Sequence, residues 1–467
     1  MVDRLSPADS SFLYLEDVSA PMHIGQVLIF DQPEGFTGAS AVTAIAARLS
    51  DLPRYRQRVR SVPGRLAGPV WSDDPDFDID YHVRRSAVPR PGTEEQLAEF
   101  VARVSARPLD RDRPLWECYV VEGLTGGRFA LVTKVHQALI DSISTRDIVG
   151  LSPDPRARFG APEPWSPRPE PGNRDLLTDA IGQLVSRPTG VRDTLRAGIG
   201  ELRATAGRVG RVGSVLARSA TRPTSRGAFE VTPASARRYR MHTADLADFR
   251  EVRTAFATAG RELPSIHAII LTVIAGALRV WLQGRGEHIR ADRSVRAMVP
   301  ATTAAGEMVA VFVDLPIGEA SPLVRLHQIE FSLAHQVRTE QGMRAVDLAA
   351  MGGSAPPALH ALGVRLGSSL SQRLFDLVIT NVPGPQRRMY GDGVPLLATY
   401  PVLPLTRGNA LAIGMTSYLG VVHFGIVADR DAVPDIDQIS AGLTEALEEL
   451  RDWIARDPST TKGFRDD

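Results

Sequence analysis

Apolar positions along the 467-residue chain recur with two distinct periods. Gly25 to Phe30 and Phe129 to Val135 are short β-rich apolar runs, while Ala41 to Leu49 and Glu94 to Arg107 carry apolar residues three and four positions apart. The first pair predicts strands and the second amphipathic helices, so residues 1–151 read as a mixed α/β domain. Between Ser152 and Asn173 seven prolines fall within 22 residues, which interrupts helix and sheet ladders and predicts a stiff, extended linker. Beyond it Leu176, Leu177, Ile181, Leu184, Val191 and Leu195 return at helical intervals, among glycines at 198, 200, 207, 210 and 213. A helical crossover over 152–235 is the expectation.

A second domain over 236–467 is predicted by a new set of patterns. Leu263 to Gln283 reads as a long apolar helix opened by Pro264, and Val295 to Pro300 and Ala310 to Pro316 read as strands. Leu411 to Val427 reads as two β segments joined around Tyr418 to Gly420. Ile436 to Ile454 is an amphipathic helix whose outer face carries Glu445, Glu448 and Arg451. No internal repeat of fixed period is visible.

Charge and composition narrow the function. Lys and Arg total 54 against 54 Asp and Glu, which removes the broad basic excess that nucleic-acid binding needs. The balance hides a local asymmetry, because Asn173 to Arg226 holds ten arginines and four carboxylates. That segment reads either as a solvated helical crossover or as a basic amphipathic stretch lying on an anionic membrane surface. The longest apolar run, Ala268 to Leu278, contains Thr272 and stops at Arg279, short of the roughly 20 residues of a spanning helix. The opening Met-Val-Asp-Arg-Leu-Ser-Pro has no apolar core like that of a secretory signal, so a cytoplasmic location is expected. Cys118 is the single cysteine, which excludes an internal disulfide and a cysteine zinc cage.

Several familiar sites are absent: no Gly-x-Ser-x-Gly elbow, no phosphate loop and no His-Glu-x-x-His. The acidic cluster Asp73, Asp74, Asp76, Asp78 and Asp80 lacks the glycine turn and closing glutamate of an EF-hand, so no metal is expected. The informative stretch is Lys134-Val135-His136-Gln137-Ala138-Leu139-Ile140-Asp141-Ser142. A β-rich run delivers a histidine to its end, and an aspartate follows five positions later. Acyl transfer to a hydroxyl needs a base of near-neutral pKa, and histidine suits that task. Taken alone, a single such pair is more often a structural loop element.

The stretch resembles the His-His-x-x-x-Asp-Gly motif of the bacterial wax ester synthase/acyl-CoA:diacylglycerol acyltransferase family, within the CoA-dependent acyltransferase superfamily. Further segments resemble the family in the same order. They are Leu5-Ser6-Pro7, Ser11 to Glu16, Pro21-Met22-His23-Ile24-Gly25, Asp74 to Asp78 with His82-Val83, and Leu109-Asp110 with Arg113-Pro114-Leu115-Trp116-Glu117. Met298-Val299-Pro300, Val313 to Pro316, Thr380 to Pro385 and Ser417-Tyr418 through Ala428-Asp429-Arg430 continue the likeness. The resemblance implies an α/β (α+β) fold of two chloramphenicol-acetyltransferase-like domains joined by a long helical crossover. It implies transfer of a long-chain acyl group from acyl-CoA to diacylglycerol or a fatty alcohol, with acyl-CoA as substrate and no cofactor. A membrane or lipid-droplet surface is implied as the place of work, and the protein as peripherally membrane-associated. The resemblance points to His136, Gln137 and Asp141 as the catalytic positions and to Ser142, His267, Asn381 and Gly384 as substrate-binding positions. Pro114, Leu115 and Trp116 are implied as a structural motif.

The sequence also departs from the family. The general base of the motif is its second histidine, four positions before the aspartate, and that position is Gln137. An amide has no usable pKa and cannot accept the hydroxyl proton, although it can hydrogen-bond a substrate. Ser142 and Thr145 replace family glycines, His267-Ala268 stands where the family tends to carry Asn-Asp, and the loop after Pro300 is short, Ala301 to Glu307. Three readings stay open: His136 acts as base, His267 is recruited from the second domain, or the chain binds acyl-CoA or lipid as a degenerate or regulatory member without efficient turnover.

Overall fold

The computed structural model describes residues 3–17, 19–139, 148–185, 229–231, 234–258, 263–302, 308–338, 343–344 and 375–456. Its strands are β1 (Asp3–Arg4), β2 (His23–Asp31), β3 (Gln57–Arg60), β4 (Val70–Asp73), β5 (Val83–Ala87), β6 (Trp116–Leu124), β7 (Arg128–His136), β8 (Glu230–Val231) and β9 (Arg237–Asp245). The second half adds β10 (Val295–Thr302), β11 (Met308–Leu315), β12 (Met343–Arg344), β13 (Leu377–Val382), β14 (Tyr390–Gly391), β15 (Val394–Val402), β16 (Gly408–Asn409), β17 (Leu411–Tyr418) and β18 (Val421–Asp429). The helices are α1 (Pro7–Leu15), α2 (Gly38–Arg48), α3 (Ile79–His82), α4 (Glu94–Ser105), α5 (Asn173–Val185), α6 (Leu246–Thr258), α7 (Ile266–Gly284), α8 (Pro322–Arg338) and α9 (Ile436–Arg456).

Two large sheets carry the fold, one ordered β14-β15-β2-β7-β6-β5 and the other β12-β11-β10-β13-β17-β18-β9. β7 shows why the first sheet reads as nearly continuous apolar sequence. Phe129, Leu131 and Val135 enter a core with Leu28, Phe30 and Trp116. Ala130 and Val132 enter another with Leu97 and Val101 of α4 and with Tyr239 and Tyr400 from the second half. A strand covered on both faces loses the apolar-polar alternation of a half-exposed one. α4 starts at a capping box between Thr93 and Gln96, which satisfies two otherwise orphaned backbone donors. α7 is long and apolar enough to cross a membrane, but 72% of that span is buried inside the protein, so it is a core helix.

The two sheets do not divide at one point in the chain. β15, from the second half, inserts into the first sheet beside β2, pairing Val402 with Gly25 and Tyr400 with Val27. The same strand lies across the second sheet, where Gly414 and Gly425 sit opposite each other on β17 and β18. A Cβ on Gly414 would stand 2.8 Å from Pro401 Cβ, and one on Gly425 would stand 1.8 Å from Pro401 O. The Tyr239 hydroxyl donates to Pro401 O at 3.0 Å, and the Tyr418 hydroxyl to Leu396 O at 3.0 Å. The β17–β18 turn places Leu419 at φ 48° and Gly420 at φ 82°, the doubly positive pair of a two-residue hairpin matched to strand twist.

The proline-rich stretch, 152–172, forms no helix and no ladder strand, and it is fastened to the first domain. Arg168 donates to the Asp73 carboxylate through its backbone N–H and both ends of its guanidinium, at 3.0, 3.2 and 3.1 Å. Trp165 meets Phe77 edge-on and lies under the Arg56 guanidinium, while Glu170 accepts from Arg58 at 2.9 Å and also pairs with Arg60. Burial pushes the Asp73 carboxyl up, but hydrogen bonds from Arg168 and Gln57 outweigh it and hold its pKa below the ordinary value. Asp73→Asn is expected to cost this strap about 1 kcal/mol of local stability, since Arg168 itself is largely exposed. Limited chymotrypsin cleavage after Trp165 should then run about fivefold faster, the rate tracking local opening.

The basic crossover begins as α5, whose Leu176 and Ala180 pack on Val62 and Val70. Residues 186–228 lie outside the described residues, and so do the predicted apolar positions Val191 and Leu195.

Candidate active site

The last residue of β7 is His136, and the chain then turns sharply through Gln137–Leu139. Three successive backbone donors of this corner are held. His136 N–H donates to Leu115 O at 3.0 Å, and Gln137 N–H donates to Met22 O at 2.9 Å. Ala138 N–H donates to His136 Nδ1 at 3.0 Å. Leu115 and Trp116, both fully buried, form the wall beside it. Trp116 N–H donates to Pro114 O, the indole N–H donates to Tyr55 O at 2.7 Å, and the Trp116 ring stacks on His82 at 4.6 Å. Pro114, Leu115 and Trp116 thus support the corner from behind.

The bond from Ala138 fixes the chemistry of His136. A ring nitrogen that accepts from a backbone amide carries no proton, so the proton sits on Nε2. Nε2 faces the Glu16 carboxylate at 3.7 Å. Burial drives the His136 pKa down to about 4, the neighbouring Glu16 carboxylate opposing that shift. His136 is therefore neutral, with its only lone pair already engaged, and it serves as a post for the turn rather than as a base. Glu16 joins the parts. One oxygen accepts from Met22 N–H at 3.1 Å, and the other takes both Nε and Nη2 of Arg111 at 2.9 and 2.6 Å.

Behind this corner lies a buried ionic group. Lys134 Nζ donates to Arg107 O at 2.6 Å and stands 3.4 Å from Glu117, which also accepts from the Tyr119 hydroxyl at 2.8 Å. Burial lowers the lysine pKa. His23, opposite His136 across β2 and β7, is held to Ser105 O at 3.0 Å. Burial and then the Lys134 ammonium press its pKa well below the ordinary value. Cys118 is buried and its thiol is pushed up to about 12 by desolvation, so it is no nucleophile.

The side chain of Gln137 is half-buried and its amide makes no hydrogen bond among the described residues. At the end of a rigid strand, with a fixed backbone, it presents two donors and an acceptor to whatever binds there. Asp141 and Ser142, expected beside it, lie outside the described residues, as do Thr145 and 303–307 of the shortened loop.

The other expected site residues stand elsewhere. Asn381 is on β13, paired with Met415 of β17. Gly384 follows, and a Cβ there would come 2.1 Å from Ser417 O, so only glycine fits. His267 occupies the first turn of α7, with Nε2 buried and unpartnered among the described residues and its pKa lowered by burial. β10, β13 and β17 run parallel and α7 precedes β10, which puts His267, Asn381 and Gly384 at the edge where these strands end. Arg237, the first residue of β9, lies at the opposite edge and donates to Ser19 O at 2.5 Å, close to Glu16 and His23. One eight-residue strand, roughly 25 Å, separates the two edges. The structure does not bring His267 to Gln137.

His82 and His136 are both fully buried, each with its pKa brought down to about 4 by burial. A basic group depressed in the fold stays neutral there while the unfolded chain takes up its proton below about pH 6.5. The stability it contributes is therefore present above 6.5 and lost as pH falls toward 4, up to about 3 kcal/mol for each ring. Urea midpoints at pH 7 and pH 4.5 should show this loss, and His82→Phe should shrink it.

The wax ester synthase/diacylglycerol acyltransferase catalytic domain matches residues 5–259, and the C-terminal domain of the same family matches residues 306–451. The chain belongs to this family. The probable diacylglycerol O-acyltransferase tgs2 of Mycobacterium tuberculosis H37Rv is 32% identical over 97% of this chain and 100% of its own length. The wax ester synthase/diacylglycerol acyltransferase of Marinobacter aquaeolei VT8 superposes with a TM-score of 0.68 at 27% identity, covering 97% of this chain and 100% of that one. The first condensation domain of the calcium-dependent antibiotic synthetase, at 16% identity and a TM-score of 0.59, shares the fold. The two-domain acyltransferase architecture implied by the sequence is thus shown.

The residues that sequence reasoning missed are Glu16, Arg111 and the second role of Met22. Glu16 lies in a quoted family segment, yet nothing local marks it, because its partners are 95 and 120 positions away. The one sequence signal is a carboxylate closing the apolar helix α1, where Glu16 is itself buried and takes the half-exposed Arg111 guanidinium as its partner.

Proposed function

We propose that this protein transfers a long-chain acyl group from acyl-CoA to the hydroxyl of diacylglycerol or of a long-chain alcohol, releasing free CoA and giving triacylglycerol or wax ester. The observation that carries this reading is the family scaffold around the β7 corner, with Gln137 at the base position of the motif and its amide without a hydrogen bond among the described residues. As the acceptor oxygen attacks the thioester carbon, the Gln137 N–H donors stabilise the developing oxyanion. The Glu16–His136 pair and Met22 keep the turn in place. The hydroxyl proton leaves to solvent rather than to a histidine, so turnover is slow.

The proposed place of work is a membrane or lipid-droplet surface reached from the cytoplasm. Ile181 on α5 is an exposed large apolar residue at the start of the basic crossover, a segment whose ten arginines suit it to anionic lipid. The same surface supports a second reading, a lipid-binding protein of low turnover. Purified full-length protein given labelled oleoyl-CoA with diolein or hexadecanol separates them. Labelled triacylglycerol or wax ester above a no-protein control supports the enzyme, and sedimentation with anionic vesicles without product supports the binding protein. Ile181→Asp is expected to weaken vesicle sedimentation severalfold.

A further inference from the structure

The Gln137 turn belongs to the first domain, yet the stretch it hangs on is held from the second. Gln137 N–H donates to Met22 O at 2.9 Å, and Met22 ends the loop 16–22 between α1 and β2. That loop folds on itself. Asp17 and Ala20 exchange backbone hydrogen bonds at 3.3 and 3.0 Å, and Asp17 Oδ1 accepts from the Ser19 N–H and hydroxyl at 3.1 and 3.2 Å. Two arginines of the second domain grip it. Arg407, just before β16, pairs with Asp17 Oδ2, and Arg237 Nη2 donates to Ser19 O at 2.5 Å. On the other side of Met22, Gly25 pairs with Val402 of β15. Met22 is therefore flanked on both sides by ties to the second half of the chain.

Arg237 is firmly anchored at its own end. Its Nη1 donates to Ala234 O and, at 3.2 Å, to Ala236 O, and stands 3.8 Å from the Asp429 carboxylate. Asp429 is fixed in turn by the N–H groups of Ala234, Asp431 and Ala432 at 2.8, 3.0 and 3.2 Å. Both side chains are buried, where charge-assisted hydrogen bonds are strong, and a planar guanidinium with its donors in a fixed fork transmits position as well as charge. The Arg407–Asp17 pair is half-exposed and holds more weakly.

We propose that Arg237 is a positioning residue through which the second domain, by way of Ser19 and Met22, sets the place of the Gln137 turn. Its role in turnover rests on the reading of the Gln137 corner as the site of acyl transfer. Arg237 touches no reacting atom. Glu16 and Leu115, both of the first domain, hold the turn to its own sheet, whereas Arg237 registers it against the second domain. Misplacing a reacting group by about 1 Å costs about 10²-fold in rate, so loss of this hold should be read in kcat.

The experiment compares full-length wild type with Arg237→Met, Arg407→Gln and Asp17→Asn. Arg240→Gln is the control, since it removes a β9 ion pair to Asp437 of α9. Deuterium uptake, read by mass spectrometry on peptides spanning 16–24 and 131–139, needs no turnover. Arg237→Met should take up label about tenfold faster in both peptides, with uptake in α7 unchanged, which separates local release from general unfolding. Arg407→Gln and Asp17→Asn, at half-exposed positions, should show about threefold in both peptides and carry the test if Arg237→Met does not fold. Arg240→Gln should match wild type. With oleoyl-CoA and diolein, in the wild type and in Gln137→His, Arg237→Met should lower kcat about tenfold and leave KM for oleoyl-CoA unchanged. Wild-type uptake in 131–139 for every loop variant overturns the proposal whatever the activity. Faster uptake with kcat unchanged also overturns it, because the tie is then structural alone. Faster uptake with no product from any variant, wild type included, supports the hold on the turn and overturns the acyl-transfer reading instead.

Discussion

Gln137→His is expected to raise acyl transfer from acyl-CoA to diacylglycerol or hexadecanol by about 10²- to 10⁴-fold, the usual worth of a positioned general base. The corner is prepared for it. Gln137 N–H is held by Met22 O, the preceding ring accepts from Ala138 N–H with the Glu16 carboxylate 3.7 Å from its other nitrogen, and Leu115 and Trp116 back the turn. The side chain at 137 is only half-buried, so a histidine there escapes the full desolvation that depresses His136 and keeps a pKa suited to catalysis at neutral pH. The variant's rate should fall below about pH 6.5 as the new base protonates, an inflection absent from the wild type. Adding Glu16→Gln to Gln137→His should lower kcat more than it raises KM, because Glu16 places the turn without touching substrate. If Gln137→His gains nothing while remaining folded, the corner is not where thioester and hydroxyl meet.

The strand that ends at this corner is legible in the sequence. The apolar run Phe129 to Val135, ending in histidine, marks a strand that delivers chemistry at its end, and strand β7 does so one residue further on. The long helix, the β17–β18 hairpin and the closing amphipathic helix also lie where their periodicity places them. What sequence could not reveal is pairing over long separations. Gly25 meets Val402, Glu16 meets Arg111 and His136, and Arg168 meets Asp73, and no periodicity encodes which of many carboxylates or strands becomes the partner. His267 illustrates the converse. Its type and family position suggested a recruited base, but chain direction through α7 and β10 puts it at the far edge of the second sheet. The prolines mark a segment without helix or sheet, while its docking depends on Trp165 and Arg168 finding Phe77 and Asp73.

Gly425→Ala is expected to destabilise the protein by about 3 kcal/mol or more. The added Cβ would lie 1.8 Å from Pro401 O, which is backbone, and 2.8 Å from the Tyr239 hydroxyl. Neither can retreat cheaply: Pro401 is fixed by the pairing of β15 with β2, and Tyr239 is fully buried and already bonded to Pro401 O. Relief requires β15 to lift from the second sheet, which breaks that bond and opens the core shared by Val27, Tyr400 and Val427. β15 also flanks β2, the strand that carries His23 and follows Met22, so the strain should pass to the Gln137 turn. Gly414→Ala, whose Cβ meets the side-chain carbon of Pro401 at 2.8 Å, should cost less, and Tyr239→Phe only about 1 kcal/mol for one hydrogen bond. Urea midpoints should therefore fall in the order Gly425→Ala, Gly414→Ala, Tyr239→Phe, with acyl transfer by the first reduced more than its folded fraction explains. A Gly425→Ala protein as stable as wild type would mean that β15 does not lie on the glycine pair, and the docking of the two sheets would have to be redrawn.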